Sequence, residues 1–205
     1  GDRLAGFYAS QNTELYVGLD PRKENHPIYQ KQADYYANQL GFFETDKKSK
    51  FHCEPAEEFN FDQYKDTFDV IFTSPPYFNV ERYGHDDTQS WVRYKDINSW
   101  NTQFLQKSLD NMLPTLRSGG KLCVNISDVY NSGKWQQICD PMNDFIDEYK
   151  DMEYRGCIGM EMAKRPNSGG AGTAKSEEYS DESLELAEET KNKRFCEPIW
   201  IWEKK

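Results

Sequence analysis

Four consecutive residues, Ser74, Pro75, Pro76 and Tyr77, combine the groups in this chain best suited to chemistry on an amine. They offer a hydroxyl, carbonyl oxygens on residues that lack a competing N–H, and an aromatic ring. An exocyclic amine on a nucleobase is a poor nucleophile, because its lone pair is delocalised into the ring. Acceptors aimed at its hydrogens pull it toward a tetrahedral, nucleophilic geometry. The Ser74 hydroxyl and the Pro75 carbonyl are candidate acceptors. Tyr77 offers a face on which a planar base can stack, at roughly 1–3 kcal/mol per base.

These residues need a rigid platform. Phe68 to Phe72 is apolar and β-branched apart from Asp69, which predicts a buried strand. Proline cannot donate to a sheet ladder, so Pro75 and Pro76 end the pairing. A rigid loop at the carboxyl end of a strand is where open α/β sheets bind ligands. On these residues the chain resembles a family. Ser-Pro-Pro-Tyr after a strand is similar to the (Asp/Asn/Ser)-Pro-Pro-(Tyr/Phe/Trp) motif of S-adenosylmethionine-dependent amino-methyltransferases. Members modify N6 of adenine or N4 of cytosine in DNA, and relatives act on RNA or on protein glutamine. The competing reading is a proline-rich turn after an ordinary strand.

The length of 205 residues suits one domain with a sizeable core, and 15% aromatic residues argue against disorder. No apolar run approaches a membrane span, and no secretion signal stands at the start. The five cysteines are scattered without a Cys-x-x-Cys pair, which points to reduced thiols in a cytoplasmic or nuclear compartment. The three histidines have no metal spacing, so no metal is expected. A net charge of −10 is unusual for a DNA-binding chain. It implies local cations at the contact, a basic partner subunit, or an upstream region that supplies them.

Gly1 to Ser10 reads as a helix after a glycine turn, with Leu4, Phe7 and Tyr8 at helical spacing. The resemblance implies that Gly1 and Asp2 belong to the end of a glycine-rich cofactor turn, whose preceding strand is expected upstream. Glu14 to Asp20 is a short strand ending in an acid, followed by Pro21. An acid there hydrogen-bonds the ribose hydroxyls in dinucleotide-like folds, roughly 20 residues after the glycine turn. The alternative for Asp20 is an Asp-Pro turn. Pro27 to Leu40 predicts a helix stopped by Gly41, Thr45 to Lys50 a polar loop, and Phe51 onward a third strand. The resemblance makes Glu54 or Glu57 an acid near the cofactor adenine, without choosing between them. Surface charge is the other reading.

Phe78 to Tyr94 is a long aromatic loop in which Phe78, Asn79, Arg82 and Tyr83 are candidate walls of a base pocket. Ile97 to Leu116 predicts a helix capped by Asp96 or Ser99 and ended by Gly119-Gly120. Lys121 to Asp128 predicts a buried strand, in which Asn125 is an unusual polar residue that can reach the site. Trp135 to Tyr149 predicts a helix. Tyr154 to Met162 and Pro198 to Glu203 predict a closing antiparallel pair. Between them, residues 163–194 form a mobile excursion with Lys164 and Arg165 at its start, candidates for the substrate backbone.

The alternation of strand and helix predicts an α/β three-layer sandwich. By resemblance this is the Rossmann-like methyltransferase fold, a mostly parallel seven-stranded sheet whose first strand is absent from this sequence. The expected activity is methylation of an exocyclic amine of a flipped-out DNA base, with S-adenosylmethionine as cofactor. Serine at the first motif position leans toward N4 of cytosine over N6 of adenine. The alternatives are an RNA or protein-glutamine methyltransferase and a non-catalytic subunit that binds a partner.

Overall fold

The protein is described by a computed structural model at residues 2–39, 47–131, 133–161 and 196–205. The chain divides into two compact units, Gly1–Phe59 and Asn60–Lys205.

The first unit is built on a parallel pair of strands, β1 (Leu15–Leu19) and β2 (Lys48–His52), with Gly18 opposite Phe51. Helix α1 (Asp2–Ala9) buries Leu4, Phe7 and Tyr8, the side its spacing marked as apolar. Helix α2 (His26–Gln39) adds Ala33 and Tyr36 to the same cluster. The Lys47 ammonium donates to the Phe7 carbonyl at 2.8 Å, to Thr13 Oγ1 at 2.7 Å and to the Ser10 carbonyl. It satisfies carbonyls that the end of α1 leaves without helical partners. Strand β2 begins at Lys48, inside the stretch expected to be a polar loop. Lys48 and Lys50 are exposed while Ser49 lies between them and meets the Tyr8 hydroxyl at 3.3 Å. A strand with one wet face reads as polar when it is short.

The second unit carries a four-stranded sheet in the order β3 (Phe68–Thr73), β4 (Leu116–Asn125), β8 (Cys196–Lys204), β7 (Met152–Glu161). β3 and β4 are parallel, and β8 runs antiparallel to both β4 and β7. The antiparallel closing pair is thus β7 with β8. A short antiparallel hairpin, β5 (Val129–Asn131) and β6 (Lys134–Gln136), follows β4. The core covers one sheet face. Leu122, Val124 and Trp202 meet Leu109, Met142 and Ile146 from the helices there. On the other face Val70 is 56% exposed, Phe72 40% and Ile158 55%. β3 is therefore not the fully buried strand expected. Of its residues Ile71 alone is buried, because β3 is the edge of this sheet and only one of its faces meets the core.

Two helix boundaries also differ from expectation. The helix over 97–115, here α4 (after the short α3, Ser90–Arg93), is capped by Asp96, whose Oδ1 accepts from the Ser99 N–H at 2.9 Å. It widens to π winding over Trp100–Gln106 and tightens to a 3-10 turn over Leu113–Thr115, where Pro114 sits. The strand starts at once with Leu116, so Gly119 and Gly120 lie inside β4 instead of ending the helix. A Cβ on Gly120 would fall 2.8 Å from the Arg117 carbonyl and 3.0 Å from the Phe68 carbonyl. Both are fixed backbone atoms, so the register shift between Phe68 and Val70 requires glycine there. Trp135, expected to open a helix, pairs with Tyr130 across the hairpin. The helix begins at α5 (Cys139–Asp147), where Asp128 Oδ1 accepts from the N–H groups of Ile138 and Cys139 at 2.7 and 2.9 Å.

Candidate active site

The chain leaves β3 at Thr73 and turns at once through Ser74, Pro75, Pro76 and Tyr77. The Phe78 N–H donates to the Pro76 carbonyl at 2.8 Å, and the Val80 N–H to the Tyr77 carbonyl at 3.0 Å. Phe78 has φ +46°, a region that side chains disfavour. It is held there by the core. Its ring is 4% exposed and meets the Trp100 ring edge-on at 6.2 Å. Phe78 is thus the anchor of the loop, and its burial leaves no ring face for a base, contrary to the pocket-wall reading. Among the described residues no hydrogen bond reaches the Pro75 carbonyl, and Pro75 itself is buried.

Ser74 Oγ donates to Asn125 Oδ1 at 3.4 Å. Asn125 is the last residue of β4 and is buried. Its Nδ2 donates to the Pro198 carbonyl in β8 at 3.0 Å. The Tyr77 hydroxyl donates to Glu197 Oε2 at 3.2 Å. Burial first, then the Glu197 carboxylate, push the Tyr77 phenol far above its ordinary pKa, so it remains a protonated donor. Glu81 Oε2 accepts from the Tyr77 N–H at 3.3 Å and from the Tyr83 hydroxyl at 2.9 Å. Asn79 Oδ1 accepts from Asn131 Nδ2 on the hairpin. The Asn79 carbonyl accepts from Arg82 Nε at 2.9 Å, and the Arg82 guanidinium lies 4.8 Å from the Trp91 ring centre.

Ser74, Pro75, Pro76, Tyr77, Asn79, Arg82 and Tyr83 therefore share one tied loop. The structure adds Asn125, Asn131 and Glu197 to it. Asn125 had a signal in the sequence, a polar residue inside an apolar strand. Asn131 and Glu197 had none, because they reach the loop from 52 and 120 residues away.

In the first unit, Asp20 follows β1 and its carboxylate is already engaged. Oδ1 accepts from the Arg22 N–H at 2.8 Å, and Oδ2 from Asn25 Nδ2 at 2.8 Å and from the Tyr29 hydroxyl. Burial, with help from Asp20, pushes the Tyr29 phenol up to about 12. Asp20 is thus an organiser of the turn that includes Pro21. With one donor on Oδ1, it keeps a lone pair for a hydroxyl, so the group fits a ribose at that oxygen. Of the two glutamates, Glu54 is exposed and Glu57 is 2% exposed. Access favours Glu54. Gly1, the Asp2 side chain, Lys164, Arg165 and the 163–194 excursion lie outside the described residues. Among the described residues no cluster of His, Cys, Asp and Glu is arranged for a metal ion, and no helix is long and apolar enough to cross a membrane.

Comparison with known proteins gives the family. A search of the curated proteins finds no match. A putative DNA modification methylase from Thermus thermophilus, solved with S-adenosylmethionine, is 17% identical, with 74% of this chain and 53% of that one covered and a TM-score of 0.46. A protein from Corynebacterium glutamicum is 13% identical, covering 95% and 62%, at 0.44. A SAM-dependent methyltransferase from Methanosarcina mazei is 10% identical, covering 93% and 82%, at 0.45. The chain spans about half the length of the Thermus methylase. The family model described as DNA methylase matches residues 68–204, from the first residue of β3 to the last residue of β8. That match covers more than half of the sequence, so this chain belongs to the DNA methylase family of N6 and N4 amino-methyltransferases, with the Rossmann-like fold of such enzymes.

Proposed function

We propose that this protein uses S-adenosylmethionine to methylate an exocyclic amino group of a DNA base. The observation that carries this reading is the Ser74–Tyr77 loop at the carboxyl end of β3, whose Pro75 carbonyl has no hydrogen-bond partner among the described residues. When bound, S-adenosylmethionine supplies a methyl group on a sulfonium, electrophilic without a protein nucleophile. The chain's own residues then act by position and electrostatics. The Pro75 carbonyl and a lone pair of Ser74 Oγ accept from the amine hydrogens, so the nitrogen lone pair turns toward the methyl. Tyr77 stacks on the base, its ring direction set by Glu197. Asp20 holds a ribose hydroxyl on Oδ1, and Glu54 is the accessible acid for the adenine end. A duplex base reaches such a loop only when flipped out of the stack. Asn79, Arg82 and Tyr83 line the substrate side, and Lys164 and Arg165 add cations for the backbone. The target is N4 of cytosine, with N6 of adenine second.

The test is incubation with labelled cofactor and DNA, RNA or protein, followed by analysis of the nucleosides and amino acids. Label on a DNA base supports the reading. Label on RNA or glutamine replaces the substrate class, and absence of cofactor binding by calorimetry makes the chain a non-catalytic subunit.

Three variants and titrations bear on individual groups. Asp20→Ala removes a charge-assisted acceptor, worth about 1.5–3 kcal/mol, so cofactor affinity should fall roughly 10- to 100-fold. Unchanged affinity would leave Asp20 with its turn role alone. Tyr77→Ala should lose about 1–3 kcal/mol of base binding, and Tyr77→Phe much less, because the ring face stacks. Equal losses would show that the tie to Glu197 is what matters. The third concerns the charge of −10, which repels a phosphate backbone at long range. This chain alone should bind DNA weakly, a basic partner or further sequence supplying the remaining contacts. Log affinity against log salt should then steepen by about 0.9 per added phosphate contact in the complete assembly. Tight binding by the chain alone, with an equal slope, would refute this.

A further inference from the structure

Ser74 has one hydroxyl proton, and its direction decides where the lone pairs face. To accept from a substrate amine, the hydroxyl has to send that proton elsewhere. The structure offers Asn125 Oδ1, 3.4 Å from Ser74 Oγ. The amide of Asn125 cannot turn freely, because its Nδ2 is bound to the Pro198 carbonyl at 3.0 Å. A flipped amide would set Oδ1 against that carbonyl oxygen and two N–H donors toward Ser74, reversing the hydroxyl's direction. Asn125 is also 4% exposed, so water has little room to substitute for either bond. Its backbone is fixed in β4, opposite Ile199 of β8 and one residue past the Thr73–Val124 pair. The Ser74–Asn125 bond is long, as such bonds often are before a substrate tightens the site.

We infer that Asn125 is a positioning residue for Ser74: the Pro198 carbonyl fixes its amide, the amide takes the hydroxyl proton, and Ser74 lone pairs are left facing the substrate amine. This rests on the methyl-transfer reading, which it deepens by naming what sets the acceptor's direction. The role is orientational, and no bond to Asn125 forms or breaks.

Two variants separate this role from a structural one. Asn125→Ala and Asn125→Asp both remove the Nδ2 donor to Pro198, so both should lower the melting temperature. Only Asn125→Asp keeps an oxygen for the Ser74 proton. With duplex DNA and labelled S-adenosylmethionine, Asn125→Ala should lower kcat about tenfold, less than loss of the acceptor itself, with cofactor KM unchanged. Asn125→Asp should recover most of that loss. In a Ser74→Ala background, Asn125→Ala should cost nothing further in kcat, because the group it acts through is gone. Equal kcat losses in the Ala and Asp variants, or an undiminished loss in the Ser74→Ala background, would overturn the inference while leaving methyl transfer intact. Absence of methyl transfer by the unaltered protein would overturn the parent reading and this one together, and is seen before any variant is made.

Discussion

Ser74→Ala should cut methyl transfer by about 10²-fold or more while leaving cofactor affinity nearly unchanged, the scale for one lost transition-state group in a preorganised site. The hydroxyl stands at the end of β3, and its backbone is fixed on one side by the strand and on the other by two prolines. Removing Oγ leaves that backbone in place, so the effect should fall on kcat. The Pro75 carbonyl would remain as an acceptor, which is why activity should not vanish. A Ser74→Ala protein with full kcat would remove Ser74 from the mechanism, and an equal loss of cofactor affinity would assign it to binding instead.

Trp100→Ala should lower the stability of the Asn60–Lys205 unit by about 3–5 kcal/mol, a large share of the 5–15 kcal/mol typical of whole domains. Trp100 is fully buried, packs on Phe104 at 5.1 Å and Phe78 at 6.2 Å, and donates from Nε1 to Ser90 Oγ at 3.3 Å. Its loss opens a cavity, strands a buried hydroxyl and takes away the support that holds Phe78 at positive φ. The five tryptophans all lie in that unit, so the four left after substitution still report its unfolding by emission. The urea midpoint should fall by about 2 M for a typical dependence on denaturant. A midpoint near that of the unaltered protein would mean the site collapses around the gap. Trp100→Phe, which keeps a ring against Phe78, should lose much less.

The parts of this fold legible in the sequence are those where one local pattern decides. Leu4, Phe7 and Tyr8 at helical spacing gave α1, and the apolar run before Pro75 gave β3. The final pair of strands was legible in Pro198 to Glu203 for the same reason. Misreadings arose where a local signal serves a distant need. Gly119-Gly120 looks like a helix stop, yet Gly120 is there because the Phe68 carbonyl passes close by, and Gly119 because its φ is +79°. Trp135 continues a helical pattern on paper, but its cross-strand partner Tyr130 decides its backbone. Lys48 and Lys50 look like loop residues because the wet face of β2 is where lysines belong. In the site, Ser74 to Tyr77 could be picked out by type, since few sequences place a hydroxyl and two prolines at a strand end. The groups that orient them could not. Glu197 looks like any surface acid until β8 brings it to Tyr77, and Phe78 looks like a pocket wall until Trp100 takes it into the core.

The face of the four-stranded sheet that carries Val70 and Ile158 has a consequence for the protein as a solute. Among the described residues of that face, Val70 is 56% and Ile158 55% exposed, with the Lys121–Glu203 ion pair between the strands that carry them. Exposed apolar side chains draw molecules together. The charge of −10 opposes this by keeping molecules apart in dilute buffer. Added salt shortens the reach of that repulsion from roughly 30 Å at 0.01 M to about 3 Å at 1 M and leaves the attraction between those apolar side chains as it was. Colloidal stability of this chain thus hangs on ionic strength, and concentrated stocks will keep best in low salt above the isoelectric pH.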